Sequence, residues 1–118
     1  MLTRSHFGAR ELVNFPGGGV ELGEAPIAAL RREYHEETGL AIKPLRVLYA
    51  SESAHPSSHS PIQIVSIYWL VEAMGGMLRQ GGNGDDVLDL FWADVKSLPT
   101  EEMFPSDFEF SGKLPGLL

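Results

Sequence analysis

Alternating polar and apolar positions along the chain predict a series of short strands. Residues 11–15 alternate and stop at Pro16, and residues 2–5 are a further, shorter candidate strand. Segments rich in β-branched and aromatic residues predict further strands at 45–51, 62–73 and 87–93, and glycine-rich segments bracket a short one at 77–78. Residues 55–61, which include His55 and His59, combine prolines with serines and predict a loop.

One helix is strongly indicated. Pro26 suits a first helical position, residues 27–38 contain strong helix formers, and Gly39 is a natural stop. A second, shorter helix is expected within residues 100–114, interrupted by Pro105. Together the elements predict an α/β (α+β) domain with a mixed sheet and one well-defined helix.

Composition and charge narrow the class of protein. The chain has 118 residues, of which 43% are hydrophobic, so a single globular domain over 1–118 is expected. A formal net charge of −7 argues against a nucleic acid polymer or an anionic membrane as partner. The chain has no cysteine, which excludes disulfides and thiolate catalysis. No apolar run has signal-peptide or membrane-spanning length, so a cytoplasmic protein is expected.

The predicted helix concentrates negative charge on a narrow arc. At about 100° per residue, Glu37 lies roughly 40° from Glu33 on one side and Glu36 roughly 60° on the other. Ala29 falls within this arc, where its small side chain leaves room. An adjoining arc is apolar and is expected to face the core; it holds Ile27, Leu30 and Tyr34. The carboxylates therefore lie along the edge of the core, where the wall of a cleft would be.

Two interpretations of these carboxylates follow from charge. Glu36 and Glu37 lie near the C-terminal end of the helix, where its dipole disfavours negative charge. A hard divalent cation such as Mg²⁺ or Mn²⁺ would offset this penalty and the mutual repulsion. The alternative is a solvated charged face, with Arg31 and Arg32 as local partners. Periodicity and charge alone leave both open.

The spacing of residues 18–40 resembles the Nudix box, the signature of the Nudix hydrolases. Gly18 is followed after five residues by Glu24, and after seven more by the run REYHEETGL of residues 32–40. Tyr34 is the one departure, because the family usually has an aliphatic residue there. Phe15-Pro16-Gly17 ahead of the box also resembles the family. The box covers about a fifth of the chain but fixes nine positions, so it is far more specific than a lone glycine-rich loop.

The resemblance implies a fold, an activity and a metal. It implies an α/β/α sandwich that hydrolyses the pyrophosphate link of a nucleoside diphosphate joined to another group, or of a nucleoside triphosphate. A metal-activated water would attack one phosphorus in line. One to three Mg²⁺ or Mn²⁺ ions would be held by the carbonyl of Gly17 and the carboxylates of Glu33, Glu36 and Glu37.

By the same resemblance, individual residues receive roles. Glu33 would accept the proton of the attacking water directly, or would position that water as a metal ligand. Arg32 would orient Glu36 or Glu37 by a charge-assisted hydrogen bond. An ordinary i,i+4 pair of Arg32 with Glu36 is the alternative. Gly18 and Gly19 would let the backbone approach the phosphates. Arg4 lies ahead of the box, and its position in the sequence leaves open whether it contacts the phosphates or is a surface charge. Glu24 is expected to hold the loop through backbone N–H groups.

Candidates for an acidic ligand outside the box come from the loop ahead of Trp92. Family members often add one such residue, which points to Asp86, with Asp85 second and Glu52 a weaker candidate. The alternative is that Asp85 and Asp86 are turn residues after the glycine-rich segment.

Only 17 residues precede Gly18, fewer than in most members of the family. An unpaired sheet edge invites association, so we expect a homodimer; a solution mass of one 12.9 kDa chain would contradict it. The alternative function is a non-catalytic nucleotide-binding or regulatory module on the same fold. Substrate identity is left open by the box, because it handles only the pyrophosphate.

Overall fold

The computed structural model describes residues 1–7, 9–57 and 60–118. Its elements, in chain order, are β1 (Leu2–Phe7), β2 (Arg10–Asn14), α1 (Pro26–Thr38), β3 (Leu40–Ala50), β4 (His55–Pro56), β5 (Gln63–Ile64), β6 (Ile67–Gly76), β7 (Val87–Phe91) and α2 (Pro105–Lys113). Short 3₁₀ helices, Thr100–Glu102 and Leu114–Gly116, flank α2. The predicted α/β (α+β) class and its likeness to a Nudix-type sandwich are confirmed.

The strands form three small antiparallel sheets within the described residues. One sheet has the order β2-β1-β7, another pairs β3 with β6, and the third pairs β4 with β5. A parallel bridge between Val13 and Met103 joins the first sheet to the segment ahead of α2. Helix α2 contacts both larger sheets, because Asp107 accepts hydrogen bonds from Phe15, next to β2, and from Tyr68 of β6.

Helix α1 ends as the sequence predicts. Gly39 has a φ of +83°, a left-handed conformation that glycine adopts without strain, and its N–H donates to the carbonyl of His35. The helix packs against β3, and its buried residues are Ala29, Tyr34, Glu37 and Thr38. Ile27, which the wheel placed toward the core, is 39% exposed, and the first buried residue of the helix is Ala29.

Two clusters of apolar side chains make up the core. The first is built on Leu2, Val13 and Met103, between the three-stranded sheet and the segment ahead of α2. The second is built on Tyr34, Leu40 and Ile42, between α1 and β3. The aliphatic position that the family uses is thus filled here by a tyrosine that packs into the core, as expected.

Several predicted boundaries were wrong. Strand β3 begins five residues early and passes through Pro44, next to which the pairing with β6 shifts register. The long strand predicted at 62–73 is divided into β5 and β6, and residues 77–78 do not form a strand. Pro105 begins α2 instead of interrupting it, because proline fits the first turn of a helix.

The predicted loop at 55–61 contains β4, a two-residue strand that pairs with β5, while His59 lies outside the described residues. In the part of the chain that the structure describes, no helix is both long and apolar enough to cross a membrane.

Candidate active site

The three box glutamates of α1 line one open cleft. Glu33, Glu36 and Glu37 meet there with side chains of the loop between β6 and β7, and the cleft has a volume of about 520 Å³. The loop contributes Arg79, Asn83, Asp85 and Asp86. The helical spacing therefore places the carboxylates at the edge of the core, next to a second acidic segment far away in sequence.

Glu37 is the buried member of the set. Its side chain belongs to a residue only 5% exposed, and its Oε2 accepts a hydrogen bond from the N–H of Gly17 at 2.9 Å. Burial raises the pKa of Glu37 to about 8; the Gly17 N–H opposes this shift, and the charges of Asp86, Glu33 and Glu36 add to it. A cation bound next to Glu37 would therefore stabilise its ionised form.

Glu33 lies against the backbone of Gly18. A Cβ atom at Gly18 would lie within contact distance of all three terminal atoms of the Glu33 carboxylate, so only glycine leaves the carboxylate its place. The same carboxylate accepts a hydrogen bond from Nη1 of Arg32 at 2.8 Å. The glycine loop and the helix thus fix Glu33 from two sides.

Arg32 organises the acidic side chains. Its Nε and Nη2 donate to the two oxygens of Glu24 at 2.8 and 2.9 Å, a bidentate pair that lowers the pKa of Glu24 to about 2. Nη1 reaches Glu36 only at 3.4 Å, and Nη2 donates to the carbonyl of Gly19 at 3.2 Å. Within the described residues Arg32 makes no hydrogen bond to Glu37. Its short hydrogen bonds go to Glu33 and Glu24, whereas Glu36 and Glu37 were predicted as its partners.

Glu24 also holds the loop, as the sequence suggested. Its Oε1 accepts the N–H of Glu21 at 3.1 Å. The loop that contains the glycines is therefore tied to α1 through one arginine–glutamate pair.

Asp85 and Asp86 are turn residues and also line the acidic cleft, so both interpretations of their position agree with the structure. The side-chain carbonyl of Asn83 accepts the N–H groups of Asp85 and Val87, which makes a turn, and Asn83 Nδ2 donates to Asp86 at 3.0 Å. Both aspartates nevertheless line the cleft with the box glutamates. Glu52 is not among the cleft residues; its N–H donates to Glu109 on α2.

The donor set fits a hard divalent cation in its chemistry. Such ions take carboxylate and carbonyl oxygens, which is what the glutamates, the aspartates and the glycine loop offer. As the side chains are placed, no three His, Asp or Glu residues of the described chain converge closely enough to hold an ion. Glu33 is turned toward Arg32 and Glu37 toward Gly17, so ligation needs these carboxylates to rotate.

Other candidates lie elsewhere. Arg4 pairs with Glu102 at 3.3 Å and its guanidinium lies 5.8 Å from the centre of the Phe91 ring, so its phosphate contact stays a prediction. His55 bonds Glu109 at 3.1 Å. Sequence reasoning missed Arg79 and Asn83. Their nearness to Asp85 and Asp86 in the chain was the only available signal, because the approach of this loop to α1 depends on tertiary contacts.

Comparison with known proteins agrees with the geometry. The model of one protein family, described as the NUDIX domain, matches residues 1–114. An ADP-ribose pyrophosphatase of Methanocaldococcus jannaschii is 37% identical over 86 residues, which are 71% of this chain and 47% of the relative. An 8-oxo-dGTP diphosphatase of Escherichia coli is 29% identical over 107 residues, covering 89% of this chain and 75% of the relative.

A third relative matches over a shorter stretch. An RNA pyrophosphohydrolase of Actinobacillus succinogenes is 55% identical over 38 residues, or 32% of this chain and 19% of the relative. The chain spans about half the length of the first of these curated relatives.

Proposed function

The chain belongs to the Nudix hydrolase family, and from this premise we propose that it is a metal-dependent hydrolase of pyrophosphate bonds in nucleotides. One observation carries the proposal: the three box glutamates and the loop aspartates, about 50 residues apart in sequence, line the same cleft. The names of the three relatives all describe cleavage of such a bond, in substrates that differ widely. The proposal therefore concerns the pyrophosphate chemistry and leaves the rest of the substrate open.

The proposed cofactor is Mg²⁺ or Mn²⁺, held by Glu33, Glu36, Glu37 and Asp86 with the carbonyl of Gly17. When bound, such an ion neutralises phosphate charge, orients the phosphates and lowers the pKa of a water molecule. The four carboxylates are supported as ligands by their oxygen donors and their common cleft, and Gly17 adjoins them because its N–H donates to Glu37.

The chain's own residues have distinct tasks in this proposal. Glu33 accepts the proton of the attacking water, and its place beside Arg32 and Gly18 keeps the carboxylate in the lining of the cleft. Arg32 holds Glu33 and the loop of Glu24 in one arrangement. Gly18 and Gly19 lie on that loop without side chains, so the phosphates can approach the backbone closely.

A panel of substrates with paired variants tests the proposal. ADP-ribose, 8-oxo-dGTP and 5′-triphosphorylated RNA are incubated with Mg²⁺ or Mn²⁺, and release of phosphate, pyrophosphate or nucleoside monophosphate is measured. On a substrate that is hydrolysed, Glu37→Gln and Glu33→Gln are each expected to lower kcat/KM by about 100-fold or more. Glu101→Gln is the matched control, because Glu101 is exposed on the 3₁₀ helix ahead of α2.

Two outcomes would contradict the proposal. If Glu33→Gln and Glu37→Gln hydrolyse as well as the control variant, the cleft is not the site. If the wild-type chain binds nucleoside diphosphates with saturating metal but turns none of the panel over, the alternative of a non-catalytic binding module is favoured. The predicted homodimer and cytoplasmic location stay predictions.

A further inference from the structure

Arg79 lies at the boundary of two concave surfaces. It is exposed, and among the described residues that line the acidic cleft it is the only one with a positive charge. It also lines an adjoining groove of about 710 Å³ whose other residues are Leu40, Gly76, Met77, Leu78 and Gln80. A single cation is therefore placed where a ligand leaving the acidic cleft would enter a more apolar groove.

The backbone of Arg79 is fixed by the C-terminal end of α1. Its N–H donates to the carbonyl of Thr38 at 2.9 Å, and its carbonyl accepts the N–H of Gly82 at 3.0 Å. Nearby, the N–H of Met77 donates to the carbonyl of Gly39 at 3.3 Å. The Cα of Arg79 is thus anchored on the same helix that carries the three box glutamates.

The guanidinium of Arg79, in contrast, has almost no protein partner. Its Nε donates to the carbonyl of His35 at 3.4 Å, a long bond, and within the described residues no carboxylate lies within 4.0 Å of its nitrogens. Arg32, in the middle of α1, by contrast pairs with four glutamates. An arginine fork beside an acidic cleft but free of ion pairs is available for an anion of the substrate.

We propose that Arg79 binds a phosphate of the substrate's diphosphate and so holds the substrate against the metal-binding carboxylates. This inference rests on the proposed function and adds a substrate-binding residue to it. The planar guanidinium can donate two parallel hydrogen bonds to phosphate oxygens, which a lysine cannot reproduce. A purely structural alternative exists, because a cation near the end of α1 also interacts favourably with the helix dipole and the last carbonyls.

Binding measurements with an unreactive diphosphate separate the two roles. Imidodiphosphate, whose bridging nitrogen resists hydrolysis, is titrated calorimetrically into the protein with saturating Mn²⁺, and Mn²⁺ alone is titrated separately. For Arg79→Gln, we expect the affinity for imidodiphosphate to fall about tenfold or more, while Mn²⁺ binds at least as tightly as to wild type. Arg31→Gln removes the same charge from an exposed position of α1 outside the cleft, so it is expected to change neither.

Arg79→Lys is a second variant to test by the same binding measurement. It keeps the charge but loses the fork, so it is expected to recover only part of the lost affinity. With a substrate from the panel, Arg79→Gln should raise KM much more than it lowers kcat, because its contact persists from the bound substrate to the transition state.

Any one of the following results would overturn the inference. The first is wild-type affinity of Arg79→Gln for imidodiphosphate. The second is an equal loss in Arg31→Gln, which would indicate a general charge effect. The third is a parallel loss of Mn²⁺ and diphosphate binding with a lower free energy of unfolding, which would indicate the structural role. If substrates are hydrolysed but Arg79→Gln is unaffected, the proposed function stands and this inference fails; if no substrate is hydrolysed, the proposed function fails.

Discussion

At the scale of single residues, the position of the Glu33 carboxylate depends on the absence of a side chain at Gly18. An ideal Cβ at Gly18 would meet the end of the Glu33 side chain, whereas a Cβ at Gly19 would meet nothing within 4 Å. The clashing atoms belong to the end of a flexible side chain. The backbone can therefore accept alanine at Gly18, but the Glu33 carboxylate must leave its position beside Arg32.

Gly18→Ala is expected to separate activity from stability. We predict that hydrolysis falls about 100-fold because the carboxylate is displaced by an ångström or more. The free energy of unfolding should change by less than about 1 kcal/mol. Steady-state kinetics and urea unfolding measure the two quantities, with Gly75→Ala in β6, outside the acidic cleft, as the control. Equal activity of the two variants would show that the position of Glu33 is not critical.

At the scale of elements, helix α1 and its ends could be predicted from local chemistry. Pro26 at the start, the helix formers and Gly39 at the end all act within a few residues, and the structure has these bounds. The carboxylates of the candidate site could be predicted for the same reason, since the helical repeat alone places Glu33, Glu36 and Glu37 side by side.

Elements that depend on distant partners were predicted less well. Strand β3 continues through Pro44 because β6 pairs with it across an irregular register, which nothing near Pro44 in the sequence reveals. β5 pairs with β4, whereas β6 pairs with β3. The predicted single strand is therefore divided by its different partners, although its apolar pattern is continuous. Arg79 reaches the cleft only because its segment is bonded to the end of α1. These are non-local contacts, and the residue pattern of one segment does not specify them.

The junction between α1 and the segment of Arg79 gives an element-scale prediction. Gly39 has a left-handed backbone, and a Cβ there would collide with the carbonyl oxygen of Met77. Gly39→Ala is therefore expected to lower the free energy of unfolding by about 2 kcal/mol or more. The added Cβ is fixed to the backbone and the Met77 oxygen is itself a backbone atom, so the clash cannot be relieved by rotation of a side chain. Urea denaturation measures the change. Gly75→Ala in β6, where a Cβ meets nothing within 4 Å, is the control, and a similar small change in both would refute the collision.

At the scale of the whole molecule, α2 links the two larger sheets through buried polar and aromatic contacts. Asp107 accepts the N–H of Phe15, which follows β2, at 3.2 Å and the hydroxyl of Tyr68 on β6 at 2.7 Å. One turn along, Phe110 stacks on Tyr68 with ring centres 3.9 Å apart. Glu109 accepts the hydroxyl of Tyr49 and two N–H groups of the loop after β3. Because Phe15 is two residues ahead of Gly17, this network also supports the loop of the candidate site.

The burial of Asp107 predicts a pH dependence of stability. Asp107 is 8% exposed, and burial raises its pKa to about 6, against the opposing effect of the hydrogen bonds from Tyr68 and Phe15. In the unfolded chain its pKa returns to the ordinary value of about 3.9. Since the folded-state pKa is raised, the stability from this group is fully present below about pH 4 and is lost as the pH rises through about 6.

Asp107→Asn should remove this loss, because an amide has a similar shape, keeps an acceptor oxygen and does not ionise. Between about pH 4.5 and about pH 7, the free energy of unfolding of the wild type is expected to fall by about 2 kcal/mol relative to that of the variant. The comparison uses urea denaturation at several pH values. The difference between the two curves cancels the contributions of other groups, including Glu37, whose pKa is also raised. Asp89→Asn, on an exposed position of β7, should give a curve parallel to that of the wild type. A parallel curve for Asp107→Asn as well would mean that Asp107 ionises in the folded protein as it does in the unfolded chain, and that the link between the sheets does not depend on its proton.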